Sequence, residues 1–139
     1  MSVRKGDQDE GKLRVIDSMR ILLGYTYDRM KDKTFPKGER WIMAKAIWDS
    51  CVAAHANILK ANSIRVKNPL EAQERILAEE IAIGSLDIMI SLIDTCHMTN
   101  TISDDRADYW TGLATSTQNI AKAWLKSQAE QYKEFLHQK

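Results

Sequence analysis

The chain has 139 residues, 44% apolar and 28% charged, with two prolines, six glycines, two cysteines and a formal net charge of +1. That length suits one domain able to bury roughly two thirds of its unfolded surface, and so few breakers permit long helices. No apolar run approaches the ~20 residues that span a bilayer, Met1 to Lys12 lacks the apolar core of a signal peptide, and two cysteines do not make a disulfide scaffold.

A cytoplasmic protein with reduced, buried Cys51 and Cys96 is therefore expected. Residues 1–11 read as a flexible N-terminal segment and residues 12–139 as one bundle. The first helix is expected from about Lys12 to Lys31, where Leu13, Ile16, Leu23, Tyr27 and Met30 recur at helical spacing, flanked by Val15, Met19 and Leu22. Pro36 removes a backbone donor and restricts Phe35 to extended conformations, so a turn belongs between Asp32 and Gly38. The second helix follows from about Lys37 to Asn62. Trp41, Ala44, Trp48, Cys51, His55 and Ile58 form its stripe, with Ile47, Ala54 and Leu59 beside it.

Asn68-Pro69-Leu70-Glu71 carries the signature of a helix start: a capping Asn, a Pro at the first helical position and a capping-box acid. The third helix then runs from Pro69 to about Cys96. Its second half (Ile81, Ile83, Leu86, Ile88, Met89, Ile90, Ile93) is apolar on too many sides for one small core, which predicts contact with another subunit. After a loop from His97 to Ile102, Ser103 caps a fourth helix that opens with Asp104 and Asp105 at the positive end of its dipole and continues weakly to Tyr132 and Phe135. Four amphipathic helices with short connections predict an all-α, antiparallel up-down-up-down four-helix bundle.

The bundle offers little chemistry. No Glu-x-x-His occurs, the nearest match being Asp94-x-x-His97. Antiparallel geometry keeps Cys51 and His55 about 20 to 25 Å from Cys96 and His97, so no zinc site forms. His55 reads as a partly buried histidine bonded to a neighbour, and Glu71, Glu74 and Glu79 as a solvated face. With no phosphate loop, nucleophile elbow or catalytic triad, we expect no enzyme, no catalytic residue, no metal and no cofactor.

Charge is more informative. Arg29 to Lys67 holds nine Lys/Arg against three Asp/Glu, whereas Asn68 to Lys139 holds six against eleven. Such basic surplus binds phosphates in a salt-dependent, largely sequence-independent way. The candidate nucleic-acid contacts are Arg29, Lys31, Lys33, Lys37, Arg40, Lys45, Lys60, Arg65 and Lys67. They form either two patches at opposite ends or one stripe along the second helix through Lys45.

Tyr25-x-Tyr27, the turn Phe35-Pro36-Lys37-x-x-Arg40, the helix end Ile58-Leu59-x-Ala61-Asn62, the run Ala82 to Leu92 and the segment Tyr109 to Trp124 together resemble the accessory variability determinant (Avd) family of diversity-generating retroelements. These belong with the four-helix-bundle proteins encoded in 23S ribosomal RNA intervening sequences. The resemblance covers about Val15 to Leu125. It implies a non-catalytic homopentamer that associates with the element's reverse transcriptase and its template RNA or RNA/DNA hybrid during mutagenic reverse transcription, with Lys37 as the contact that the turn itself supports. The alternative expectation is a structural homo-oligomeric bundle of the intervening-sequence type without a direct nucleic-acid role.

Overall fold

The computed structural model describes residues 5–32, 34–38 and 40–137, and the side chains of all of these except residues 5–10, 40 and 41. The described residues are all-helical. Their elements are α1 (Lys5–Lys31), a π-helical turn (Arg40–Ala44) that runs directly into α2 (Lys45–Ser63), α3 (Pro69–Met98), α4 (Asp104–Gln131) and the short α5 (Lys133–Leu136). α1 starts at Lys5, inside the segment expected to precede the bundle. The second helical element starts at Arg40 rather than Lys37, after Pro36 and Gly38, which both disfavour helix.

The helix ends follow their local chemistry. Asn68 Oδ1 accepts from the Glu71 amide at 2.9 Å. Glu71 Oε1 reaches back to the Lys67 amide at 3.1 Å, one residue earlier than the usual box. Ser103 Oγ accepts from the Arg106 amide at 3.3 Å. α3 closes in a Schellman motif: Asn100 takes φ 57°, Thr101 N–H donates to Cys96 O at 2.8 Å and Asn100 N–H to His97 O at 3.1 Å.

Burial alternates at spacings of three and four along the long helices, the pattern of knobs-into-holes packing. Val15, Met19, Leu22 and Thr26 are buried on α1, and Ile47, Cys51, Ala54, Ile58 and Ala61 on α2. α3 buries Ala72, Arg75, Glu79, Ala82, Leu86, Met89, Ile93 and Cys96, and α4 buries Ala107, Trp110, Ala114, Thr117, Ala121, Trp124 and Gln128. α1 packs on α2, α2 on α3, α3 on α4, and α4 back on α1.

Two expected stripes are rotated. On α1, Leu13 and Tyr27 are exposed while the flanking Val15, Met19 and Leu22 face the core. On α2, Leu59 is exposed and Trp48 and His55 are only half-buried. In α1 the reason is Thr26, a polar residue in an apolar seam. Its hydroxyl donates to Leu22 O at 2.8 Å and accepts from the buried Trp110 Nε1 at 3.1 Å. No described helix is long and apolar enough to cross a membrane.

Candidate nucleic-acid interface

The described candidate residues fall into two groups, one at each end of α2, because that helix separates Lys45 from Lys60 by about 22 Å. Lys45 cannot extend a stripe between them. It pairs with Asp49 at 2.7 Å, and the exposed surface beyond is apolar, at Val52 and Leu59.

At the α1–α2 end, Lys31 and Lys37 are exposed, and Lys31 Nζ lies 4.9 Å from the Tyr27 ring centroid. Arg29 is engaged instead of free: it lies over Tyr25 at 4.5 Å and pairs with Asp32 at 2.9 Å. Asp32 organises the turn, accepting from the Thr34 amide at 2.8 Å, from the Thr34 hydroxyl, and from Arg106 of α4 at 3.3 Å. Burial pushes its carboxyl up, but these hydrogen bonds with the Arg29 and Arg106 charges outweigh that and hold it below the usual range. Arg106 and the ring contacts Tyr25–Tyr109 (4.9 Å) and Phe35–Trp110 (6.0 Å) bring the acidic start of α4 to this end. Exposed Asp104, Asp105 and Asp108 therefore offset its lysines. Lys33 and the side chain of Arg40, both candidates, lie outside the described residues.

At the α2–α3 end, Lys60, Arg65 and Lys67 are all exposed. The structure adds two cations that charge counting had not singled out. Lys12 of α1 and Arg75 of α3 line a cleft together with Arg65, and among the described residues no carboxylate lines it. Arg75 carries a sequence signal of its own, since it occupies a buried position of the seven-residue repeat on α3 alongside Glu79.

Glu79 overturns the expected solvated face. It is 2% exposed, and neither carboxylate oxygen accepts a hydrogen bond. Arg75 Nε is 3.9 Å away, an ion-pair distance rather than a hydrogen bond. Burial pushes the Glu79 carboxyl up to about 8, against the lowering pull of Arg75 and with a further rise from Glu80. Glu74 and Glu79 are five residues apart and so lie about 140° apart around the helix, which explains why one is solvated and the other is not.

His55 Nδ1 is buried without the expected partner, and burial and the Arg20 charge hold the ring below the ordinary histidine range. Cys51 and Cys96 are buried thiols not joined to each other, and burial pushes the Cys51 thiol up to about 11, against a Thr26 contact, which leaves it unreactive. Among the described residues, no three His, Cys, Asp or Glu side chains gather where they could hold a metal ion.

The described residues thus define an all-helical protein with a mixed-charge α1–α2 end and a cationic cleft at the α2–α3 end. Comparison with protein-family models finds no match, and comparison with curated proteins finds no significant one.

Proposed function

We propose that the chain is a non-catalytic accessory subunit of a diversity-generating retroelement, of the Avd type. It would bind the element's reverse transcriptase and its template RNA or complementary DNA in the cytoplasm. In this reading the helices form an antiparallel up-down-up-down four-helix bundle, and copies of it associate as a homo-oligomer, five by the resemblance. The observation that carries the reading is the cationic cleft at the α2–α3 end. There Lys60, Arg65 and Lys67 are solvent-exposed, and Lys12 joins Arg65 in a cleft that no carboxylate among the described residues lines. The α1–α2 end, where the Phe-Pro-Lys turn lies, is the better candidate for protein contact, because Asp104, Asp105 and Asp108 oppose its lysines.

Fluorescence anisotropy of a labelled single-stranded RNA, with and without the cognate reverse transcriptase, tests this. Single-strand binding loses about 0.7 log units per log unit of salt for each phosphate contact, so three contacts predict roughly twentyfold weakening from about 50 to about 200 mM salt. Absence of RNA binding at low salt, both alone and with the polymerase, would remove the proposal's mechanism. The exposed apolar side chains of α3 favour a second reading, a structural homo-oligomer without a nucleic-acid role; that outcome would leave it standing.

A further inference from the structure

The α2–α3 loop, α3 and the end of α4 enclose a cleft of about 510 Å³, within the ~300–1,000 Å³ of small-ligand sites. Its cations come from three elements: Lys12 on α1, Arg65 in the loop and Arg75 on α3. Arg75 is set rigidly. Its Nη1 donates to Ile64 O at 2.8 Å, and its guanidinium lies 5.6 Å from the Trp124 ring centroid and 5.8 Å from that of Tyr132. Burial pushes the carboxyl of its neighbour Glu79 up to about 8, which weakens that group's hold on the guanidinium charge.

A second feature of the lining asks for a ligand with a donor. Gln128 is 2% exposed; its Nε2 donates to Gln131 Oε1 at 3.1 Å, but its own Oε1 accepts nothing. A buried acceptor without a partner is costly, so a ligand hydroxyl that reached it through a small side-chain shift would be favoured. The larger groove on the molecule, about 760 Å³ along α4, lacks this character because Asp94 and Asp108 line it beside Arg14.

We propose that this cleft binds a sugar phosphate monoester, with Lys12, Arg65 and Arg75 holding the dianionic phosphate and Gln128 Oε1 accepting from a sugar hydroxyl. Three cations lining one cleft suit two negative charges, and Asn62, Ser63, Gln128 and Gln131 give the rest of the lining the polar groups that a sugar requires. The ligand chemistry has two sources, a free sugar phosphate or mononucleotide and the phosphorylated end of an RNA strand. The assignment stands apart from the retroelement reading, because a free monoester would bind whether or not the chain handles RNA.

Isothermal titration calorimetry of the full chain tests it with ribose 5-phosphate, AMP, adenosine, and one RNA decamer carrying either a 5′-phosphate or a 5′-hydroxyl. The monoesters are expected to bind, with adenosine at least about tenfold weaker, since charge-assisted hydrogen bonds are worth about 1.5–3 kcal/mol each. The double variant Lys12→Gln/Arg65→Gln should weaken AMP at least about tenfold with an unchanged melting temperature, while Lys31→Gln/Lys45→Gln should leave it unaffected. Preference for the 5′-phosphorylated decamer over AMP assigns the site to strand ends, and equal affinity assigns it to small molecules. Adenosine binding as well as AMP, indifference to the double variant, or no monoester binding at millimolar concentration would overturn the proposal. Salt-dependent binding of the 5′-hydroxyl decamer would still support the RNA reading, so the two ideas fail separately.

Discussion

Glu79 is the residue where folding sets chemistry most visibly, because a carboxyl in a helix seam either ionises at high cost or keeps its proton. Its folded value of about 8 lies above the ordinary 4.5. The folded chain therefore holds a proton that the unfolded chain releases between those values. Stability from this group falls as pH rises from about 4.5 to about 8 and levels off above, each unit being worth about 1.4 kcal/mol. Glu79→Gln removes the ionisation, so urea midpoints of variant and wild type should be close at pH ~5 and diverge in the variant's favour by pH ~8. Parallel midpoints across that range would show that Glu79 ionises freely in the fold. The opposite sign belongs to Asp32, whose lowered carboxyl stabilises the turn above the unfolded carboxylate range and stops doing so as acid protonates it.

Among the elements, the end of α3 shows how a boundary is fixed by one backbone conformation. Asn100 sits in the left-handed region at φ 57°, where its short polar side chain is better tolerated than most but glycine is free of strain. Asn100→Gly should leave stability within a few tenths of a kcal/mol or raise it, and Asn100→Ala should cost about 1 kcal/mol, read from urea unfolding. Equal midpoints for the two would mean that the motif does not hold the helix end. Such boundaries were legible where a residue type has one local job, as Asn68-Pro69 and Ser103 do. The faces were less so. Counting apolar residues chose Leu13 and Tyr27 for the α1 core, because the true seam contains Thr26, which earns its place through Trp110 rather than through hydrophobicity. On α3 the same count passed over Arg75 and Glu79, although both lie on the repeat that carries Ala72, Ala82, Leu86, Met89, Ile93 and Cys96. The cleft was beyond reach for another reason: Lys12, Arg65 and Arg75 come from three elements, and no local spacing joins them.

For the whole molecule, the apolar outer face of α3 bears on assembly. Leu70, Leu77, Ile81 and Ile88 are 63, 56, 45 and 57% exposed, although Leu86, Met89 and Ile93 of the same helix are fully buried. At 100° per residue the four exposed side chains fall within about 40° of arc, a ridge about 27 Å long. Scattered exposed apolar residues need no explanation, but a row of them along one face is expected to mark an association surface. A second copy is its expected partner, which would bring several cationic clefts into one particle and let weak phosphate contacts act together, an effect a monomer of net charge +1 lacks. Multi-angle light scattering of the full chain at micromolar concentration and moderate salt is expected to give a mass several times 15.9 kDa. Leu77→Lys/Ile88→Lys should reduce that mass to the monomer's while circular dichroism keeps the helical signal, because both side chains lie outside the core. A wild-type monomer, or an oligomer that the double variant leaves intact, would show that the ridge does not join copies of this chain.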